Sequence, residues 1–221
     1  MTTGHFGLAL GVKSKARTVP LWLLMISTYL LDFIFIILAS FGIESFKPIN
    51  PAHPSYGAVI IHAYYSHSLA GALLISIIAG FIVKLIWNNK TGLVISIVVF
   101  SHWILDLIVH RPDLPILPGN AGNLPLLGFG LWKIPAVSAI LELVIVGVSV
   151  YFYYRSAVNS LDKSNKNKTQ VYLAVGTSGL LLLALLTSDF MGFSLNLGIL
   201  IMLLLIVLCG WLDSRLNWKV S

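Results

Sequence analysis

Charged residues are scarce in this sequence, and cysteine is almost missing. Asp, Glu, Lys and Arg make up 10% of the 221 residues, whereas about 25% is usual for a soluble domain. Hydrophobic residues make up 57%. The one cysteine, Cys209, lies in a late apolar run, which excludes disulfides within the chain and metal sites built from several thiolates. The composition therefore predicts an integral membrane protein.

The sequence also lacks two other signals. The apolar run after Lys13, Lys15 and Arg17 is long enough to span a membrane and has no small-residue cleavage site, so we expect no cleavable signal peptide. The net charge is +6, but the basic residues are spread over several loops instead of lining one surface. We therefore expect no nucleic-acid partner.

Six apolar stretches predict an all-α, polytopic membrane protein whose 221 residues form one integral membrane domain, a six-helix transmembrane bundle. Residues 1–12 are too few to cross a core of about 30 Å, so they form a short N-terminal half-helix or lie at the interface. The Gly-, Pro- and Asn-rich segment 112–130 is expected to be an ordered loop that caps the site. The predicted spans are 20–41, 57–87, 92–109, 132–154, 171–186 and 194–212.

The basic residues predict the orientation of these spans. Eleven of the 14 Lys and Arg residues fall on one side of the predicted membrane. By the positive-inside rule, both termini are then cytoplasmic. Only Lys47, Arg111 and Lys133 fall on the other side.

Ionisable residues inside the spans are the main functional signal. His102, Asp106 and His110 are spaced four residues apart, so they share one face of a helix. A carboxylate at the middle of a bilayer costs about 2.5–3.5 kcal/mol. A bound cation would offset that cost.

Five ionisable residues on four predicted spans also share one depth. Counted at 1.5 Å per helical residue, each lies roughly 18–25 Å from the nearest predicted cytoplasmic basic residue. They are Asp32, His67, His102, Asp106 and Glu142. His5 comes within side-chain reach of this layer if the N-terminal half-helix dips into the membrane. On the long second span, we expect His67 to face the layer and His62 to lie one turn above it.

Simpler interpretations remain open for each residue. Asp32 could be a buried carboxylate that bonds Tyr29 or a serine, and His102 with Asp106 could be an intrahelical hydrogen-bonded pair. Glu142 could be structural or a ligand. His5 and His110 could each be interfacial.

Three short segments resemble the YdjM-like family of inner-membrane, metal-dependent hydrolases. Gly4-His5 resembles a Gly-His near the start of that family. Residues 62–69, HAYYSHSL, resemble its H-x4-H-S-L segment, and residues 101–106, SHWILD, resemble its S-H-x3-D segment. The resemblance implies an inner-membrane location.

The same resemblance implies a metal site, because the family is distantly similar to helical zinc phospholipases C and single-strand nucleases. It implies that Asp106 is a bridging carboxylate. Two departures, Ser138 before Glu142 where a histidine is usual and Ala63-Tyr64 where Arg-Gly is common, make one or two ions the expectation. The ligands that it implies are His5, Asp32, His67, His102 and Asp106.

Imidazole and carboxylate ligands without thiolates suit zinc, with manganese or iron possible. We expect metal-activated water to hydrolyse a phosphoester or related ester of a lipid or lipid-linked substrate. Asp32 or Glu142 would be the general base if it is not a ligand. Arg111 could hold an anionic head group or be an ordinary interfacial arginine.

Two other classes of function remain open. Intramembrane His and Asp residues also build proton relays and metal-ion pathways, so a proton- or metal-ion-coupled transporter is the alternative. A metal-stabilised scaffold is a third possibility, with a basic loop over residues 155–168 that binds a partner or anionic lipid. The sequence leaves the oligomeric state open.

Overall fold

The computed structural model describes residues 1–49, 56–160, 168–191, 195–216 and 218. It is 73% helical, and the described residues contain one two-stranded antiparallel sheet. The helices are α1 (Thr2–Lys13), α2 (Leu21–Thr28), α3 (Leu30–Ser40), α4 (Leu69–Ile86), α5 (Asn89–Val109), α6 (Pro135–Asn159), α7 (Lys168–Met191), α8 (Leu195–Leu204) and α9 (Gly210–Ser214); the strands are β1 (Ser45–Pro48) and β2 (Val59–His62).

Within the described ranges, five helical segments are long and apolar enough to cross a membrane, and a broken pair, α2 and α3, would make a sixth span. The prediction of an all-α polytopic membrane protein is confirmed. The last span joins α8 to α9 through a π-helical turn, Leu205–Cys209. The fourth starts three residues later than predicted, at Pro135, and extends to Asn159. The N-terminal residues form a helix of 12 residues.

The first span is not one continuous helix, contrary to the prediction for residues 20–41. Tyr29 separates α2 from α3, with φ −115° and ψ 8°, and no side chain caps the start of α3. The carbonyl groups that end a helix have no partner within it. The break therefore gives Thr28, the last residue of α2, a carbonyl that can accept a hydrogen bond from another element.

The second predicted span, residues 57–87, is wrong in its first third. Val59–His62 pairs with Ser45–Pro48 as an antiparallel strand, and β-branched Val59, Ile60 and Ile61 suit that conformation. The helix begins only at Leu69, where the side chain of Ser68 accepts a hydrogen bond from the backbone N–H of Gly71. His62 therefore lies on a strand and not one helical turn from His67.

Helices α4 and α5 form a tight antiparallel hairpin. Close contact requires glycine at two facing positions: a Cβ on Gly80 would lie 2.7 Å from the carbonyl oxygen of Gly92. The Ser96 hydroxyl donates to the Ser76 carbonyl across the pair at 2.8 Å, and Asn88 caps the start of α5. Because the helices are antiparallel, the start of α4 lies beside the C-terminal half of α5.

Segment 112–130 is ordered and packs on the start of α4. Leu114 and Leu127 form an isolated antiparallel bridge. The backbone N–H groups of Leu69 and Ala70 donate to the carbonyls of Pro115 and Ile116. The loop thus satisfies N–H groups that a helix N-terminus leaves without partners, and it does so next to His67.

The chain divides into two compact units. The first contains Met1 and Ser27–Ala139, and the second contains Thr2–Ile26 and Ile140–Ser221. In the second unit, the Lys13 ammonium and the Asp213 carboxylate form a buried ion pair at 3.1 Å. The Tyr153 hydroxyl donates to the same carboxylate at 2.9 Å. The ion pair therefore joins the end of α1 to α9, and the Tyr153 hydrogen bond joins α6 to the same carboxylate.

Candidate metal centre

Four of the residues predicted as ligands converge in the first unit. Asp32 comes from α3, His67 from the residue before the cap of α4, and His102 and Asp106 from one face of α5. The Nε2 atoms of His67 and His102 are 3.3 Å apart. Asp32 Oδ1 lies 3.3 Å from His67 Nε2 and 3.7 Å from His102 Nε2. Residues far apart in the sequence thus meet at one point.

Asp106 contacts more of the imidazole rings than Asp32 does. Its Oδ2 lies 3.0 Å from His102 Nε2, 3.5 Å from His67 Nε2 and 3.7 Å from His110 Nε2. Its Oδ1 lies 3.8 Å from the backbone nitrogen of Met1. One carboxylate therefore lies at the meeting point of three histidines, two of them on its own helical face.

The spacing of these atoms fits a divalent metal. A tetrahedral zinc ion at 2.0–2.1 Å from its ligands has ligand–ligand edges of about 3.3 Å. Asp32, His67 and His102 form a triangle with edges of 3.3–3.7 Å, and replacing Asp32 by Asp106 gives edges of 3.0–3.5 Å. Both triangles share the same two Nε2 atoms. Since each Nε2 has one lone pair, these two histidines could hold one shared ion, with one or both carboxylates as further ligands.

The other ring nitrogen of each of the three histidines is held by an oxygen. His102 Nδ1–H donates to the Thr28 carbonyl at 2.7 Å, so the break after α2 serves the cluster. His110 Nδ1–H donates to Asp113 Oδ1 at 2.9 Å. Such bonds place the proton on Nδ1 and leave the Nε2 lone pair available, which is the usual arrangement behind metal-binding histidines.

His67 is held by a relay of two residues. The buried Ser66 hydroxyl donates to Glu44 Oε2 at 2.7 Å, so at 2.8 Å it can accept from His67 Nδ1–H. Glu44 Oε1 accepts the backbone N–H groups of Tyr65 and Ser66 at 2.7 and 2.9 Å. The same carboxylate thus orients the ring of His67 and holds the backbone that carries it.

Aromatic side chains surround the imidazoles. Trp103 Nε1–H donates to the His67 carbonyl at 2.8 Å, and the ring of Phe35 packs edge-on against His67 at 6.0 Å between centroids. Tyr29 packs edge-on against His102 at 6.1 Å. The ring of Trp132 lies 4.3 Å from that of His110, between centroids. The polar cluster therefore has apolar walls, which exclude water and strengthen electrostatic interactions inside.

The cluster is buried except at one residue. The side chains of His102, His67 and Asp106 are 0%, 3% and 3% exposed, whereas that of Asp32 is 25% exposed. Asp32 therefore marks the side from which a small molecule can reach the donor atoms.

His5 and Glu142 belong to the second unit. His5 lies on α1 and Glu142 on α6, and both are buried. Glu142 Oε2 accepts the backbone N–H of Gly4 at 3.0 Å, so this carboxylate holds the start of α1. Ligation by either residue, and the role of Glu142 as a base, remain predictions.

Arg111 has contacts that explain its position without a ligand. Its guanidinium donates to the backbone carbonyls of Gly57 and Val59, at the start of β2. It therefore holds the segment that leads towards His67. Binding of an anionic head group by Arg111 remains a prediction.

Sequence reasoning missed the residues that orient the histidines: Glu44, Ser66, Asp113 and the carbonyl of Thr28. Glu44 and Asp113 lie in predicted loops, where acidic residues are ordinary. The one local signal was His110 followed three residues later by Asp113.

Comparisons with family models, with curated proteins and with solved structures found no match for this chain.

Proposed function

We propose that this protein is a membrane-embedded, metal-dependent hydrolase that acts on a phosphoester or related ester of a lipid-like substrate. The observation that carries the proposal is the arrangement of three histidines around Asp106. Each Nδ1 is held by an oxygen acceptor, and each Nε2 lies within 3.7 Å of Asp106 Oδ2.

Zinc is the first choice of metal, because imidazole and carboxylate donors suit it. The distances between donor atoms in the cluster also match the ligand–ligand distances of tetrahedral zinc. His67 and His102 would hold the ion together with Asp106, Asp32 or both. A zinc ion held there would supply Lewis acidity, which lowers the pKa of coordinated water towards 7 and polarises a phosphoryl oxygen. His110 with Asp113 provides one further histidine beside Asp106 for a second ion.

The protein's own residues would perform three tasks. Thr28, the Ser66–Glu44 relay and Asp113 keep the imidazoles oriented. The aromatic walls exclude bulk water. Asp32, the most exposed member, is the best placed to accept a proton from water or to contact the substrate if it is not itself a ligand. An apolar surround with one open edge suits a substrate whose polar group is attached to an apolar chain.

The test begins with metal content. Protein purified in detergent after growth with zinc, manganese and iron is analysed for bound metal, before and after chelation. His102→Ala and Asp106→Ala are compared with His62→Ala as a matched control. In the parent protein, the His62 ring hydrogen-bonds Tyr64 and, in the described contacts, does not touch the cluster. We expect one or two bound ions per chain in the parent and in His62→Ala, and much less in the other two.

Hydrolysis is then measured with lipid phosphoesters in mixed micelles, using release of phosphate or head group as the readout. We expect turnover that chelation abolishes and that the metal restores. Loss of turnover in His102→Ala and Asp106→Ala, but not in His62→Ala, would support the proposal. Protein that holds no metal after growth with all three metals would refute the proposal. Bound metal without hydrolysis of any such substrate would refute the hydrolase assignment.

Transport is a second candidate, which the break between α2 and α3 at Tyr29 favours. Interrupted helices at membrane depth often line ion sites in transporters, and this break contributes the Thr28 carbonyl to the cluster. Liposomes that contain the protein, loaded with a zinc- or pH-sensitive dye, test this directly. Flux that is lost in His102→Ala and kept in His62→Ala would replace the hydrolase proposal with a transporter.

A further inference from the structure

A second polar site lies in the other unit and does not depend on the metal centre. It is a cavity of about 330 Å³ between the end of α1 and the end of α6. The residues that line it are Ser14, Lys15, Arg17, Phe152, Arg155, Ser156 and Asn159. We call it the basic pocket. Its volume is in the range of small-molecule sites, which runs from about 300 to 1,000 Å³.

The charge of the basic pocket is of one sign. Lys15, Arg17 and Arg155 supply three cations, and none of the described residues that line it is acidic. Like charges brought together by folding repel one another, so an arrangement of this kind is stabilised by an anion. The Asn159 amide adds a neutral donor suited to phosphate oxygens, whereas the Ser14 and Ser156 hydroxyls donate to the backbone carbonyls of Gly11 and Ser14.

The basic pocket is preorganised, because hydrogen bonds hold one of its cations, Arg17, in place. Arg17 Nε–H donates to the Ser156 hydroxyl at 3.0 Å, and that hydroxyl donates to the Ser14 carbonyl at 2.8 Å. The Lys13 ammonium donates to the Arg17 carbonyl at 2.7 Å. A preorganised guanidinium loses less entropy when it binds an anion.

The surroundings of the pocket match an amphiphilic ligand. Phe152 lines the pocket and is exposed on α6, one turn before Arg155. Other exposed apolar residues continue along the same helix, such as Val148. Basic pockets beside spanning helices on the cytoplasmic face are typical sites for anionic lipid head groups, and the basic residues predict that face here.

We propose that the basic pocket binds a phosphate group presented at the membrane surface by an anionic phospholipid. Lys15 and Arg155, both exposed, would attract the phosphate, and Arg17 would contact it from the wall. The acyl chains would lie against the apolar face of α6 beyond Phe152.

The experiment uses the full chain, delipidated in detergent and followed by native mass spectrometry. Dioleoylphosphatidylglycerol is titrated against the zwitterionic dioleoylphosphatidylcholine, and inorganic phosphate is added as a competitor. The pocket variant is Lys15→Gln with Arg155→Gln, since both side chains are exposed. The matched control, Lys84→Gln with Lys90→Gln, removes the same charge from exposed positions on the α4–α5 hairpin.

We expect the anionic lipid to bind at least tenfold more tightly than the zwitterionic lipid. The pocket variant should weaken that binding about five- to tenfold for each charge removed, and the control should leave it within twofold. If inorganic phosphate binds as tightly as the lipid, and the pocket variant weakens that binding too, the pocket is a phosphate site whose ligand is a soluble phosphate. Equal weakening by both variants, or none by the pocket variant, would overturn the proposal.

Discussion

The Ser66 hydroxyl provides the sharpest test of the metal centre, because it lies outside the ligand set but orients one ligand. It is 2.8 Å from His67 Nδ1 and 2.7 Å from Glu44 Oε2. Ser66→Ala removes this connection and adds no bulk. Glu44 keeps its bonds from the backbone N–H groups of Tyr65 and Ser66, so the loop that carries His67 should remain folded.

The expected loss follows from the role of such outer partners. His67 Nδ1–H would lose its acceptor, and the ring would lose the bond that fixes its tautomer and orientation. Removing a partner of this kind typically costs 10- to 100-fold in metal affinity, or about 1.4–2.7 kcal/mol. The unfolding free energy should fall by about 1–3 kcal/mol from the buried polar groups left with fewer bonds.

The assay is competition for zinc with a chromogenic chelator in detergent at pH 7.5. Ser101→Ala is the matched control, because that hydroxyl donates only to the Val98 carbonyl of its own helix in the described contacts. We expect its zinc affinity to stay within twofold of the parent. An unchanged affinity in Ser66→Ala, or an equal loss in Ser101→Ala, would refute the proposed relay.

Three further predictions concern pH, charge and packing. Zinc affinity should fall as the pH is lowered from 8 to 5, because protons compete for the imidazole nitrogens; a pH-independent affinity over this range would contradict histidine ligation. Asp213→Asn should lower the unfolding free energy by about 3–5 kcal/mol, because it leaves the buried Lys13 ammonium poorly compensated. Lys13→Met with Asp213→Leu should recover most of that loss, and a thermal melt in detergent that ranks the two variants equally would refute this. Gly80→Ala should cost about 1–3 kcal/mol, because its Cβ meets the Gly92 carbonyl. Gly147→Ala, with no atom within 4 Å of the new Cβ, should melt within one or two degrees of the parent.

Much of the candidate site was predictable because membranes make polar residues costly. Asp32, His67, His102 and Asp106 stand out in apolar runs, and counting helical residues places them at one depth. The structure brings these four together. His67 meets the other three residues although it does not lie on a helix, because it directly precedes Ser68, the cap of α4.

The same argument misplaced His62. Residues 57–87 are apolar almost throughout, and a short apolar run has the same composition in a buried strand as in a helix. Pairing of Val59–His62 with Ser45–Pro48 removed that segment from the helix. Hydropathy alone could not show this, because the partner strand is separated from Val59–His62 in the sequence and hydropathy carries no information on pairing.

Amino-acid order by itself predicted a helical membrane protein and identified the ionisable residues in its apolar runs, although His67 lies two residues before α4. These properties follow from local hydrophobicity and from the helical repeat. Tertiary structure decided which polar groups hold the histidines. Glu44 and Asp113 lie in loops, and Thr28 acts through its carbonyl, so their roles exist only once the chain breaks and folds around the cluster. Hydrogen bonds depend on distances of tenths of an ångström between separate elements, and no linear pattern encodes those distances.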